Sequence, residues 1–143
     1  MSNPKLPKLI REVLVELKNT DYIITGSYAL LLQGLLDRTP KDLDIISDSP
    51  LLLNKLNEIC LNMDNVFETI SQTRFLFQRF DEELFIDVFP KTKLNNCKEI
   101  EWDEFKVKVL NPREIYLNKL QKFYKTPKTR DDLISYFKQL NNQ

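Results

Sequence analysis

Histidine is missing from this sequence altogether. Its absence excludes Ser-His-Asp and Cys-His catalysis, histidine general bases and the usual zinc sites. Whatever chemistry the chain performs falls to its carboxylates. The only two cysteines, Cys60 and Cys97, are too few for a disulfide framework and are expected to remain reduced thiols. No apolar run approaches the length of a membrane span, and Met1-Ser2-Asn3-Pro4-Lys5 leads into no signal-type segment. A cytoplasmic protein with no membrane association is therefore expected. Lysine and arginine balance aspartate and glutamate at 21 each, so the total charge gives no general attraction to nucleic acid.

Glycine is almost as scarce, with two in 143 residues, and the position of the first is informative. Tyr22-Ile23-Ile24 is a short apolar run, Thr25-Gly26-Ser27 breaks it, and Tyr28 to Leu32 is apolar again. The pattern predicts strand, sharp turn and helix, the helix running from about Ser27 to Leu36. Gly26 allows a tight turn and close approach to the backbone, and Ser27 falls where a helix exposes unpaired N–H groups. Such a turn suits phosphate.

Arg38-Thr39-Pro40-Lys41 then leads into Asp42-Leu43-Asp44-Ile45-Ile46. On a strand, side chains alternate between faces, so Asp42 and Asp44 share one face and Leu43 and Ile45 the other. Two carboxylates beside a phosphate turn repel unless a cation lies between them. Hard oxygen donors next to phosphate point to Mg²⁺ or Mn²⁺. A third acid, Asp87, interrupts the otherwise apolar Leu84 to Phe89 and would be costly to bury unpaired. Three carboxylates on neighbouring strands could hold two ions about 3.5–4 Å apart, which clamp the attacking and leaving oxygens of a phosphoryl displacement.

The pattern Gly26-Ser27, Asp42-x-Asp44, Asp87 resembles the nucleotidyltransferase superfamily that includes DNA polymerase β. The text G-S-x-A-L-x-x-x-G-x-x-x-R-T-x-x-D-L-D-I, which Ala29, Leu30, Gly34, Arg38 and Thr39 extend, is most similar to its AbiEii-type branch of toxin–antitoxin and phage-defence nucleotidyltransferases. The resemblance implies an α+β fold, a small mixed sheet with helices packed on it. It implies an enzyme that moves a nucleoside monophosphate from an NTP to an RNA, protein or small-molecule acceptor. Gly26 and Ser27 would contact the phosphates, with Arg38, Lys41 and Lys119 as further candidates. Asp42 and Asp44 would ligate the metal, and Asp87 would complete the site and help to activate the acceptor hydroxyl. The alternative is an inactive nucleotidyltransferase-like binding module, acting as an antitoxin, regulator or inhibitor.

The length suits one domain over 1–143, with a core over about 21–110 and a helical pair over about 112–141. Pro7 to Lys18 carries apolar residues on one helical face. Ser49 and Pro50 read as the cap and first turn of a helix through Leu61, and Asn111 as the cap of another beginning at Pro112. Strands are expected at Val66 to Ile70, Arg74 to Phe80, Leu84 to Phe89 and Glu101 to Leu110, with Asp81-Glu82-Glu83 as an acidic turn. That turn, folded inward, would supply the acidic pocket that a cationic small-molecule acceptor needs.

A last helix is expected at about Arg130 to Leu140. Between Arg113 and Arg130 the basic residues Lys119, Lys122, Lys125 and Lys128 are answered only by Glu114, which would suit an RNA acceptor or the triphosphate. Larger members of the branch carry more helical sequence after this point. A protein partner or a second copy of the chain is therefore a candidate for completing the cleft.

Overall fold

The computed structural model describes residues 6–62, 68–71, 73–79, 81–90 and 96–120. The side chains of 60–62, 68–71, 79 and 118–120 lie outside that description. The elements run α1 (Lys8–Glu16), β1 (Ile23–Thr25), α2 (Gly26–Leu32), β2 (Asp42–Ile46), α3 (Pro50–Asn62), β3 (Glu68–Ser71), β4 (Arg74–Arg79), β5 (Glu82–Phe89), β6 (Cys97–Trp102), β7 (Phe105–Leu110) and α4 (Pro112–Leu120). The helix expected near Arg130 to Leu140 falls outside the described residues, as do the side chain of Lys119 and all of Lys122, Lys125 and Lys128.

All seven strands join one sheet in the order β3-β4-β5-β2-β1-β7-β6. It is mixed: β2 pairs parallel with β5, and β1 parallel with β7, while β1 and β2 run antiparallel to each other. This is the α+β architecture expected, with a wider sheet than the sequence suggested. Alternation decides what each face does. Leu43 and Ile45 on β2, Ile86 on β5, and Phe75 and Phe77 on β4 are fully buried, and α1, α2 and α3 pack on these strands. Asp42, Asp44 and Asp87 point to the other face and stay partly exposed.

Local chemistry fixes the element ends. Ser49 Oγ accepts from the Leu52 N–H at 3.4 Å, and Asn111 Oδ1 from the Arg113 N–H at 2.9 Å, so both expected caps form. The helix expected to reach Leu36 stops at Leu32 instead. Gly34 adopts φ +74, its N–H reaches the Leu31 carbonyl at 3.1 Å, and the Leu35 N–H reaches Leu30 at 2.9 Å. These are the paired bonds of a Schellman ending, which a left-handed glycine makes cheap.

Two further expectations are corrected. The segment Glu101 to Leu110 is not one strand: Cys97–Trp102 and Phe105–Leu110 form a hairpin that turns at Asp103, φ +52, and Glu104. Glu82 and Glu83 belong to β5, not to the turn. Glu82 Oε2 accepts from the Leu9 N–H at 3.0 Å and Glu83 Oε2 from Gln78 Nε2 at 2.8 Å.

The start of α1 is tied to both flanks of the sheet. Besides the Glu82 bond, the Leu6 N–H donates to Asp103 Oδ2 at 3.3 Å, and Arg11 pairs with Asp103 and Glu104. Trp102, fully buried, stacks at a tilt on Tyr28, with ring centroids 5.7 Å apart. Among the described residues no helix is long and apolar enough to cross a membrane.

Candidate active site

The strand ladders set four residues side by side. Thr25 on β1 pairs with Asp44 on β2, Asp44 with Asp87 on β5, and Asp87 with Arg74 on β4. Partners in register lie on the same face, with neighbouring strands about 4.8 Å apart, so Thr25, Asp44, Asp87 and Arg74 form one row across the sheet. Asp42, two residues before Asp44, begins the next row opposite Phe85. The acids expected to gather from distant parts of the chain are thus carried on directly paired strands.

Gly26 follows Thr25 with φ +66, and the reason it is glycine is steric as well as conformational. A Cβ there would stand 2.4 Å from Asp44 Oδ2 and 3.2 Å from its Cγ. The Asp44 carboxylate therefore rests on the bare backbone of Gly26, in space that any side chain would claim. Ser27 and Arg38 meet beside it, Arg38 Nη2 donating to Ser27 Oγ at 3.2 Å. Lys41, just before Asp42, is exposed, and its carbonyl accepts from the Phe85 N–H at 3.1 Å. Lys119 lies on α4, and its side chain is outside the described residues.

Asp87 is an acid under opposing electrostatic influences. Burial pushes its carboxyl above the usual range and Asp42 adds to that, while Arg74 opposes both through its charge and its hydrogen bonds. Arg74 Nη1 donates to both oxygens, at 2.9 and 2.7 Å, and its guanidinium lies over the Phe85 ring, 4.5 Å from the centroid. Among the described residues no three acidic or cysteine side chains are grouped as a ready metal centre. Asp87 is instead paired with Arg74.

Sequence reasoning did not single out Arg74. The available signal was its position opening the apolar run Arg74 to Phe80, in the same hairpin as Asp87. Two surface hollows, of about 250 and 400 Å³, both border Asp21 and Tyr22, at the opposite end of β1 from Gly26.

The sequence matches no protein-family model and no curated protein. Solved structures do match. A nucleotidyltransferase-like antigenic protein from Paracoccidioides brasiliensis aligns with a TM-score of 0.62 at 20% identity, over 90% of this chain and 71% of that one. ANT(2")-Ia, solved with adenylyl-2"-tobramycin, gives 0.60 at 15% identity, over 90% and 83%. A candidate nucleotidyltransferase from Thermotoga maritima gives 0.56 at 16% identity, over 95% and 92%. The chain has a nucleotidyltransferase-like fold. At these identities the likeness extends to the fold and no further.

Proposed function

We propose that the chain is a metal-dependent nucleotidyltransferase that transfers a nucleoside monophosphate from an NTP to an acceptor and releases pyrophosphate. The observation that carries this reading is the in-register pair Asp44 and Asp87, with Asp42 beside them and the Asp44 carboxylate seated on Gly26. Carboxylate oxygens held partly out of water on rigid strands fit Mg²⁺ or Mn²⁺. Asp42, Asp44 and Asp87 would hold the ion. When bound, the ion supplies charge neutralisation and polarises the phosphoryl oxygens.

The chain's own residues do the positioning. Ser27 and Arg38, joined by a hydrogen bond directly after the Gly26 turn, would take phosphate oxygens, and Lys41 and Lys119 would add positive charge at the rim. Asp87, its carboxyl raised by burial, would assist removal of the acceptor hydroxyl proton. Fixed donors and carboxylates of this kind lower the barrier by orientation and electrostatics, with no covalent intermediate on the protein. Within this class, the Gly26 to Ile45 text supports an AbiEii-type enzyme of toxin–antitoxin or phage-defence systems. The neighbour bound to adenylyl-tobramycin supports a hydroxyl-bearing acceptor.

The test is incubation of purified protein with Mg²⁺ and each labelled NTP in turn, with Asp44→Ala as control. Transfer or metal-dependent NTP binding that is lost in Asp44→Ala supports the reading. Absence of both binding and transfer from the parent chain, or an Asp44→Ala variant that behaves identically, overturns it.

A further inference from the structure

Arg74 is the one charged member of the four-residue row to which the proposed chemistry gives no work. A single nitrogen, Nη1, engages both oxygens of Asp87. The side chains are 36% exposed for the arginine and 17% for the aspartate, so the arginine is the more solvent-accessible member of the pair. Phe85 gives it a second contact, ring to guanidinium, that does not depend on the carboxylate. Without a cation here Asp87 would be a desolvated anion next to Asp44 and Asp42, an arrangement of like charges that folds poorly.

A guanidinium and a divalent ion cannot both use the same two oxygens at full strength. They compete for the same lone pairs and repel each other at that range. We propose that Arg74 is a stand-in cation: it occupies Asp87 while the metal is absent, and gives up at least one carboxylate oxygen when a divalent ion binds at Asp42 and Asp44. The inference rests on the nucleotidyltransferase reading above. It makes Arg74 a residue that tunes metal entry, and therefore the metal concentration at which the site becomes competent. The opposing arrangement is a permanent clamp, in which Arg74 keeps Asp87 aimed and the ion sits on the acids it leaves free.

The two arrangements predict opposite signs for one measurement. Mn²⁺ alone is titrated into the purified chain, and free Mn²⁺ is read by electron paramagnetic resonance for the parent, Arg74→Gln and Arg74→Lys, each checked for a cooperative thermal melt. A stand-in cation predicts that Arg74→Gln binds Mn²⁺ about tenfold more tightly than the parent, the scale expected for losing a charge-assisted competitor. Arg74→Lys, which keeps the charge but loses the planar stack on Phe85, falls between them.

Unchanged or weaker Mn²⁺ binding by Arg74→Gln overturns the proposal and assigns the clamp. If Arg74→Gln does not melt cooperatively, Arg74→Lys decides alone: tighter binding supports the stand-in, and equal or weaker binding overturns it. If neither the parent nor either variant binds Mn²⁺, the stand-in proposal falls, and the NTP assay above decides the nucleotidyltransferase reading separately. If the parent binds and the variants bind no better, only the role of Arg74 falls.

Discussion

Asp44 rests its carboxylate on Gly26 so closely that a single added methyl group would stand 2.4 Å from Oδ2. A glycine in the left-handed region therefore serves two ends at once: it lets β1 turn into α2, and it leaves room for a side chain from β2.

Those two uses separate experimentally. Gly34 has a similar backbone angle, φ +74 against φ +66, but is exposed at the end of α2. Alanine at either position costs about 1 kcal/mol for the left-handed backbone. At Gly26 the clash falls on the movable carboxylate of Asp44, so the extra damage appears in the site and not in the fold. Urea unfolding should give similar losses for Gly26→Ala and Gly34→Ala, whereas Mn²⁺ titration should show weakened binding, by about tenfold or more, in Gly26→Ala alone.

Asp44→Asn should abolish nucleotidyl transfer while leaving stability within about 0.5 kcal/mol of the parent, or raising it. The substitution keeps the shape and removes one of two like charges at paired positions on β2 and β5. Transfer of labelled NMP and the urea midpoint, measured on the same preparation, check both halves.

Arg38→Ala removes the guanidinium that donates to Ser27 but leaves the three acids in place. NTP affinity should fall by about tenfold, the scale of a charge-assisted phosphate contact, with Mn²⁺ affinity in the absence of nucleotide unchanged. Calorimetric titrations of each ligand separate the two effects.

Tyr28 contributes, with Tyr22, to the loss of stability at alkaline pH. Burial, reinforced by Glu82, pushes its hydroxyl up to about 12 from 10.0. The folded state thus holds the phenolic proton more tightly than the unfolded chain. The resulting stability is fully present below pH 10 and lost as the pH rises towards 12, an upper figure of about 3 kcal/mol at 1.36 kcal/mol per unit. Urea midpoints should fall across that window, and Tyr28→Phe should flatten part of the decline.

The sequence was readable wherever a local rule decides. Alternation in Asp42 to Ile46 places the two acids together from five letters, because a strand has only two faces. Ser49 and Asn111 sit where a helix needs an acceptor for its first N–H groups, and both are used that way. Register was harder. Placing the β4–β5 turn at Asp81-Glu82-Glu83 rather than between the paired Arg79 and Glu82 shifts every pairing along the hairpin, and Arg74 then no longer falls opposite Asp87.

The strand Cys97–Trp102 was missed for a different reason. Of its residues only Ile100 and Trp102 are not exposed, as suits an edge strand with one neighbour, so its hydrophobic signal is weak. Strand order was beyond reach altogether, since β5 reaches β2, and β7 reaches β1, by pairings that no short stretch of text encodes.

The row from Thr25 to Arg74 crosses four adjacent strands, and its spacing is dictated by backbone hydrogen bonds rather than by any connecting segment. Insertions or deletions at the ends of those strands would leave the geometry of the acids untouched while reshaping whatever surrounds them. On the proposed reading, a scaffold wired in this way would exchange one recipient molecule for another without retuning its chemistry.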